Sequence, residues 1–395
     1  MKQRLGYLSA APRVSTRSSK ESVSPRAHVL GVMGAFKQLG WEVTPFIVGD
    51  RSPRKFTAEG SQRALSGGVL RTLAADLVRI TLGVLNARRA WRELGGEVDW
   101  VYERLAVLQS LGWIFKRRGV PWILETNGPL FYEAKAERNA IVLGGVARWL
   151  EVKAYRECDV LVCISDAVKE ISLREAEIPP EKVVVMPNGV DTTFFDPERC
   201  EPVRLFPNFT VGFVGTFFPW QALDLLLEVL KELRDEGLDI SVVLVGDGVM
   251  REAWESRAKQ LGVSANVAFT GMVPWEEVPQ TISGFDVAYS GHVQMGKGGM
   301  YHSPLKIYEY LAMGKPIVAS AFADARMAIR DGETGFLFQG ADKGDLKRAL
   351  ADAYQSRGEL PEMGHEARQD AVDLHSWTAR IRALIPEVER IRGER

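Results

Sequence analysis

Short apolar runs alternate with amphipathic segments along the whole chain, and polar or glycine-containing turns separate them. The apolar runs are rich in valine, isoleucine and aromatic residues, which is typical of buried strands. They lie at 5–10, 41–48, 99–104, 121–126, 159–165, 183–186, 209–215, 240–245, 266–271, 285–290, 317–320 and 335–338. Helical spacing of apolar residues follows many of them, for example at 29–39 and 223–233. This alternation predicts α/β structure with a parallel, doubly wound sheet in each half of the chain.

The length of 395 residues accommodates two α/β domains of ordinary size. A segment rich in proline and charge, from Asp196 to Pro207, reads as a linker between them. We therefore predict one Rossmann-like domain over 1–200, a second over 201–375, and a terminal helix over 376–395.

The segment 51–95 is a long helical excursion that departs from this regular rhythm. Its apolar stripe shares the segment with a series of arginines, and such a combination suits either a membrane surface or a lipid-phosphate acceptor. It also suits a helical pair packed on the sheet with solvated arginines, which is the interpretation we favour. The stripe consists of Leu70, Leu73, Leu77, Ile80, Val84 and Leu85.

The stretch 301–319 has a clear helix start and stop. Ser303 is expected to cap the first free N–H groups, and Pro304 is expected at the first helical position. Gly314 suits the left-handed residue after the last turn. Lys306 near the helix start predicts an anion site, because unpaired N–H groups and the helix dipole both favour negative charge. Glu309, one turn further on, could accept hydrogen bonds from sugar hydroxyls.

Polar residues also follow two strands of the first domain. The carboxyl ends of strands face the ligand crevice in open α/β sheets, so these residues are expected on the acceptor side. They are Glu103 and Arg104 after one strand, and Glu125 and Asn127 after the next. His28, in the loop segment just before the first helix, is a further acceptor-side candidate, although a lone histidine is more often structural.

The sequence of residues 303–319 resembles the donor-site helix of glycosyltransferase family four. It reads Ser-Pro-Leu-Lys-Ile-Tyr-Glu-Tyr-Leu-Ala-Met-Gly-Lys-Pro-Ile-Val-Ala. This family comprises retaining sugar transferases with the GT-B fold, in which two Rossmann-like domains face a central cleft. Residues 183–195, with the Asn188-Gly189 turn, resemble the segment that closes its first domain. The resemblance implies that the last helix crosses back to the first domain.

By this resemblance the helix start, Ser303-Pro304-Leu305, faces the donor diphosphate and Glu309 binds the nucleotide ribose. The family's first glutamate, which contacts the donor sugar, is replaced here by Tyr301. Its cleft histidine is replaced by Asn127. Tyr301, Asn127 and Lys306 are accordingly the candidate catalytic residues.

The family also places an arginine and a lysine after the first strand of the second domain, where this chain has Thr216 and Gln221. We hypothesise that Lys297, in a glycine-rich turn, and Lys306 together neutralise the diphosphate instead. Further donor contacts are expected from Gly246 and from Glu277, the latter near the base. No Asp-x-Asp sequence is present, so we expect metal-independent transfer, with the nucleotide sugar as co-substrate and no cofactor.

Composition adds bounds on the partners. A net charge of −1 gives no general attraction to nucleic acid, but the first hundred residues carry 16 Lys and Arg against 8 Asp and Glu. The three cysteines fit no metal spacing, and no signal peptide or apolar membrane span is recognisable. We expect a cytoplasmic enzyme that takes a saccharide, lipid-linked or small-molecule acceptor. Peripheral contact of the basic first domain with the inner membrane face stays open.

The predicted function is thus transfer of a sugar from a nucleotide-diphosphate sugar to an acceptor hydroxyl, with retention. Two alternatives remain. One is a GT-B nucleotide-sugar epimerase or sugar phosphorylase. The other is a catalytically degenerate subunit that binds nucleotide, because Tyr301, Thr216 and Gln221 replace charged residues of the family pattern.

Overall fold

The computed structural model describes residues 2–17, 24–51, 68–137, 139–294 and 301–393. Lys297 and its glycine neighbours lie outside these residues, so the hypothesis that Lys297 binds phosphate stays a prediction. The segment 52–67, which is part of the predicted helical segment 51–95, also lies outside the described residues.

The first half of the chain forms one parallel sheet of six strands. Its spatial order is β2-β1-β3-β4-β5-β6. The strands are β1 (Arg4–Ser9), β2 (Glu42–Ile47), β3 (Trp100–Arg104), β4 (Trp122–Thr126), β5 (Val160–Cys163) and β6 (Val183–Val185). Pro45 lacks an N–H donor and lies in β2, an edge strand, where proline is tolerated.

Helices cover both faces of this sheet. They are α1 (Ser24–Gln38), α2 (Val48–Arg51), α3 (Val69–Leu94), α4 (Trp113–Lys116), α5 (Leu130–Tyr132), α6 (Gly144–Glu157) and α7 (Asp166–Ala176). Because successive strand residues point to opposite faces, Tyr7 enters one apolar core and Leu8 enters the other. The first domain is therefore doubly wound, as predicted.

The second half forms a second parallel sheet of six strands, in the order β12-β11-β10-β7-β8-β9. The strands are β7 (Phe209–Val214), β8 (Ile240–Val245), β9 (Val267–Gly271), β10 (Val287–Ser290), β11 (Ile317–Ser320) and β12 (Gly335–Phe338). Successive residues of β8, such as Val242 and Val243, enter apolar cores on opposite faces. The prediction of two parallel, doubly wound sheets is confirmed.

The helices of the second half follow the same alternation. They are α8 (Leu223–Asp235), α9 (Arg251–Gln260), α10 (Val278–Ser283), α11 (Leu305–Ala312), α12 (Ala323–Ala328), α13 (Lys343–Gln355), α14 (Leu360–Asp370) and α15 (Trp377–Gly393). Short 3-10 turns lie at Pro180–Lys182, Pro197–Arg199, Pro219–Gln221, Ser264–Asn266 and Trp275–Glu277, and π turns at Glu133–Glu137 and Ala371–His375.

Helix α15 packs on the first sheet rather than on the second. Its residues Trp377, Ile381 and Leu384 belong to the same apolar core as residues of α1 and β1. The backbone of Val190 exchanges hydrogen bonds with His375 and Trp377, which fixes the point where the chain returns. The exact domain limits at 200 and 375 stay predictions.

The apolar stripe of α3 is largely uncovered. Leu70, Leu77, Val84 and Leu85 are exposed, while the opposite face, with Asp76, is buried. The favoured interpretation, that this stripe packs on the sheet, is therefore wrong for these residues. Polar anchoring decides the orientation: the Asp76 carboxylate accepts hydrogen bonds from the backbone N–H groups of residues 142 and 143.

Candidate functional site

Helix α11 begins one residue later than the sequence predicts, and its start is held differently. Pro304 precedes the helix with ψ of 120°, and no side chain caps the first turn. The Ser303 hydroxyl accepts a hydrogen bond from the backbone N–H of Asn188 at 3.0 Å. The predictions of a Ser303 cap and of Pro304 at the first helical position are therefore wrong, because an interdomain partner binds Ser303. Gly314 has φ of +62° after the last turn, as predicted.

Lys306 lies at the topological switch point of the second sheet. At this point β10, which precedes α11, lies beside β7, and the strand order reverses. The Nζ of Lys306 donates a hydrogen bond to Gln221 Oε1 at 2.8 Å and lies 4.0 Å from the centre of the Phe213 ring. A Cβ added to Gly215 would lie 3.0 Å from Nζ. Ligands of open α/β sheets bind outside the carboxyl ends of the strands at such a switch point.

The charge of Lys306 is not neutralised by a neighbouring carboxylate. Among the residues that the structure describes, no carboxylate oxygen lies within 4.0 Å of its Nζ, and Glu309 forms no salt bridge with it. Burial lowers the pKa of Lys306 to about 7, although the charge of Glu309 opposes this. Burial likewise raises the pKa of Glu309 to about 7, with Lys306 opposing. The pair is therefore desolvated but not joined.

Glycines allow the loops after β7 and β8 to touch beside Lys306. Gly246 has φ of +132°, and a Cβ added there would lie 1.9 Å from the backbone oxygen of Gly215. The Phe217 N–H donates to the backbone oxygen of Asp247 at 2.9 Å. Thr216 is exposed in the first of these loops, and Gln221 is buried at its end. The structure thus brings Lys306, Gln221, Thr216 and Gly246 to one edge of the second sheet.

A chain of polar contacts crosses from α11 into the first domain. Asn188 donates its side-chain amide to the Ser303 backbone oxygen, and its Oδ1 lies 2.9 Å from His28 Nδ1. His28 Nε2 lies 2.7 Å from Glu125 Oε1, and Asn127 Nδ2 donates to the same carboxylate oxygen at 3.1 Å. Four predicted site residues, Ser303, His28, Glu125 and Asn127, are therefore connected through Asn188.

Electrostatics keep Glu125 ionised within this chain. Burial alone would raise the pKa of Glu125, but the neighbouring His28 and Arg104, together with the Tyr102 hydroxyl, lower it below its usual value. The Tyr102 hydroxyl donates to Glu125 Oε2 at 2.7 Å. Both ring nitrogens of His28 face oxygen atoms, and its ring packs edge-on against Trp377 at 4.8 Å. His28 is thus buried and held in place rather than open to the cleft.

Tyr301, four residues before α11, contacts the first domain. It is buried within a core of the first domain, and its hydroxyl donates to Glu133 Oε1 at 3.2 Å. Its backbone oxygen accepts from the Ser165 hydroxyl at 2.8 Å. Where the resembled family has a glutamate, this chain therefore has a residue that joins the two domains. A catalytic role of Tyr301 stays a prediction.

The two predicted residues at the end of β3 differ in their surroundings. The buried Glu103 carboxylate accepts hydrogen bonds from the backbone N–H groups of Leu111 and Gly112 at 2.6 and 2.8 Å. Burial raises the pKa of Glu103 to about 7 despite these donors. Arg104 is half-buried, and its Nε has no hydrogen-bond partner among the described residues. Glu103 thus anchors a loop, whereas Arg104 keeps unused donors.

Arg104 lies at the switch point of the first sheet, beside two polar groups that sequence reasoning missed. Ser9, the last residue of β1, pairs in register with Arg104, and Tyr7 pairs with Tyr102. The Ser9 and Tyr7 hydroxyls are both buried without a hydrogen-bond partner among the described residues. The position of Ser9 at a strand end, before a polar loop, is the sequence signal that could have found it.

The prediction that Glu277 contacts the donor receives no support from the geometry. Glu277 is exposed in the 3-10 turn before α10 and has no contact with the Lys306 region among its hydrogen bonds and ion pairs in the described chain. Within the described residues, no group of three or more His, Cys, Asp or Glu side chains is arranged to hold a metal ion. Metal independence and the absence of a cofactor stay predictions.

Two family models match the chain in succession. The model described as Glycosyltransferase Family 4 matches residues 26–194, and the model described as Glycosyl transferases group 1 matches residues 206–370. The first range ends, and the second begins, in the segment between the two sheets.

Curated relatives extend this similarity. The chain is 28% identical over 269 residues to a GDP-mannose-dependent alpha-(1-6)-phosphatidylinositol monomannoside mannosyltransferase of Mycolicibacterium smegmatis, covering 64% of this chain and 70% of that protein. It is 29% identical over 333 residues to a D-inositol 3-phosphate glycosyltransferase of Nocardia farcinica, covering 79% of this chain and 70% of the relative.

Solved structures agree in fold. Sucrose-phosphate synthase from Thermosynechococcus elongatus superposes with a TM-score of 0.72 at 15% identity, with full coverage of both chains. The Anabaena protein HepE, determined in complex with UDP, superposes with a TM-score of 0.63 at 16% identity, covering 99% of this chain and all of that one. The two parallel six-stranded sheets and the likeness to these solved structures identify the GT-B fold. The two family models, which match residues 26–194 and 206–370, show that the chain belongs to the family-four glycosyltransferases.

Proposed function

We propose that this glycosyltransferase moves a sugar from a nucleotide-diphosphate sugar to an acceptor hydroxyl, with retention and without a metal ion. The observation that carries the proposal is Lys306. It is a half-buried cation without a carboxylate partner in the described chain, at the first turn of α11 and at the switch point of the second sheet. A diphosphate at this point would meet the Lys306 charge and the positive end of the helix dipole.

Departure of the nucleoside diphosphate requires stabilisation of developing negative charge, and preorganised cations and N–H groups supply it in a site that excludes water. Lys306 is preorganised by its hydrogen bond to Gln221. Gln221 stands where the resembled family has a lysine, so it holds a cation here instead of providing one. Glu309 is buried one turn further along α11, a position that suits a hydrogen bond to ribose hydroxyls.

Arg104 supports an acceptor site at the switch point of the first sheet. Its free donors and those of Ser9 lie at the carboxyl ends of neighbouring strands. Arginine binds phosphate oxygens through two parallel hydrogen bonds, so an acceptor with a phosphate ester is one that these donors suit. The two curated relatives are named for inositol-based, phosphate-containing acceptors, which is in keeping with this assignment.

Retention is the stereochemistry of the family that the donor helix resembles, in which a donor phosphate oxygen helps to deprotonate the acceptor hydroxyl. No protein nucleophile is assigned. The base of the donor is left open, since one relative is named for GDP-mannose and one solved structure contains UDP.

The proposal is tested with UDP- and GDP-sugars in the presence and absence of inositol phosphates and simple glycosides. Release of nucleoside diphosphate only with acceptor, together with an axial or equatorial product linkage that matches the donor by NMR, supports retaining transfer. Isomerised donor without release identifies an epimerase. Binding of nucleotide without either reaction identifies a degenerate subunit. Full activity after removal of all divalent cations by chelation is expected.

The matched variant for this experiment is Lys306→Met, which keeps the length of the side chain and removes the charge. We expect turnover to fall by at least a hundredfold, the scale on which loss of one stabilising donor acts. Unchanged turnover would contradict the assignment of Lys306 to the leaving group. Because Lys306 is only half-buried, the thermal melting point of the variant should stay close to that of the wild type.

A further inference from the structure

Helix α3 exposes a continuous apolar face. Leu70 is 82% exposed, Leu77 is 54% exposed and Val78 is 56% exposed. The exposed series continues through Leu82 to Leu85. Since an α-helix rises 1.5 Å per residue, the face from residue 70 to residue 85 is about 22 Å long. This is far more apolar length than the scattered single residues of an ordinary protein surface.

The rest of the first domain holds this face outward. On the inner side of α3, the Asp76 carboxylate accepts the backbone N–H groups of residues 142 and 143, at 2.8 and 3.0 Å. Arg79 forms an ion pair with Asp76 and donates to the backbone oxygen of Ala140 at 3.1 Å. Rotating α3 to bury its leucines would break these buried hydrogen bonds. The exposure is therefore built into the packing of the domain.

Helix α3 also carries positive charge near both ends of its apolar face. Exposed arginines lie at both ends, with Arg71 near the start of α3 and Arg88, Arg89 and Arg92 near its end. Within the described chain, none of these four forms an ion pair. The only carboxylate between residues 69 and 92 belongs to Asp76, which is buried. Glu93, the exposed acid at the end of α3, is paired with Arg51, whose guanidinium lies 2.6 Å from its carboxylate. The face from residue 69 to residue 92 is thus apolar and cationic.

An exposed aromatic residue lies on another helix of the same domain. Trp149 on α6 is exposed, and Lys153 stacks on its ring with Nζ 5.0 Å from the ring centre. Helix α6 follows the backbone that Asp76 binds, and its Leu150 lines the same crevice as Ile80 and Val84 of α3. Tryptophan and basic residues next to exposed leucines are the composition of surfaces that bind at the boundary between lipid headgroups and acyl chains.

We propose that the exposed face of α3, defined by Leu70, Leu77, Val78 and Leu85 with Arg88, docks the protein on an anionic lipid bilayer. Charge complementarity selects this occupant. If the same face of a second copy packed on it, the contact would bring arginines against arginines, and the one exposed acid of α3, Glu93, is already paired with Arg51. The helix lies parallel to the surface: over all described residues, none of the helices is long and apolar enough to cross a bilayer. The proposal does not depend on the sugar-transfer reaction.

The test is sedimentation of the full chain with vesicles in the absence of donor and acceptor. One set contains phosphatidylcholine and phosphatidylglycerol at about three parts to one, and the other contains phosphatidylcholine alone. We expect strong binding to the anionic vesicles at low salt and a marked loss at high salt or on the neutral vesicles. Each arginine near an anionic surface contributes about fivefold in affinity. Arg88→Gln with Arg89→Gln should therefore weaken binding by roughly 25-fold.

The apolar contribution is tested with Leu77→Glu combined with Val78→Glu, which should weaken binding to anionic vesicles by at least tenfold. Both side chains are exposed, so the melting point should not change. The control is Met327→Glu, a similarly exposed apolar residue on α12 of the other domain, which should bind as the wild type does. If the variant with Leu77→Glu and Val78→Glu binds anionic vesicles as strongly as the wild type does, the proposal is overturned. Conversion of a dimer into a monomer with unchanged vesicle binding overturns it too, and identifies a subunit interface.

Discussion

The low pKa of Lys306 predicts that nucleoside diphosphate binding weakens above neutral pH. With a pKa of about 7, Lys306 is protonated in about half of the free molecules at pH 7 and in about one in ten at pH 8. A bound diphosphate supplies the anion that the described site lacks, and so raises the pKa of Lys306 toward its usual value. Binding must then take up a proton, and affinity falls as pH rises through the free-protein value.

The magnitude follows from the titration. If the protonated form carries the binding, the dissociation constant of UDP or GDP should rise about 20-fold between pH 7.5 and pH 9. The ligand phosphates are already ionised in this range, because their last pKa lies near 6. Partial exposure of Lys306 allows solvent to screen its charge, which makes this figure an upper bound.

Isothermal titration calorimetry at several pH values, in buffers with different ionisation enthalpies, measures the dissociation constant and the number of protons taken up on binding. Near pH 8 we expect uptake of about 0.9 proton per nucleotide bound. Lys306→Arg should bind with little pH dependence, because a guanidinium stays charged throughout. Glu309→Gln serves as a second control, since its carboxyl group titrates in the same region. A wild-type affinity that is constant from pH 7.5 to 9, or an arginine variant with the same slope, would refute the reasoning.

Two further predictions concern the loop after β8 and the contact of Tyr301 with the first domain. Gly246→Ala should lower the free energy of unfolding by at least about 3 kcal/mol, because its Cβ would overlap the Gly215 backbone oxygen at a φ of +132°. Gly237→Ala, at φ of +89° with open space around it, should cost only about 1 kcal/mol in the same urea titration, and equal losses would contradict the steric argument. Tyr301→Phe removes the hydroxyl that donates to the buried Glu133 and should lower stability by about 1–2 kcal/mol. An unchanged denaturation midpoint would show that this contact between the domains contributes nothing.

The sequence by itself determined the sheets and much of helix α11. Runs such as 240–245 and 317–320 were located correctly, because a strand buried on both faces is apolar at nearly every position. Gly314 and Pro316 also marked the end of α11 correctly. These features depend on backbone preferences and on apolar content within a few residues, which a single chain displays directly.

The tertiary structure alone decided how the polar groups are used. Ser303 binds Asn188, 115 residues away in the chain, instead of capping its own helix. Lys306 meets Gln221 rather than Glu309, although Glu309 is nearer in sequence. Leu77 is exposed because buried contacts of Asp76 fix the rotation of α3. A polar side chain can satisfy its hydrogen bonds with any of several partners, and only the packing of distant segments selects which partner lies within reach.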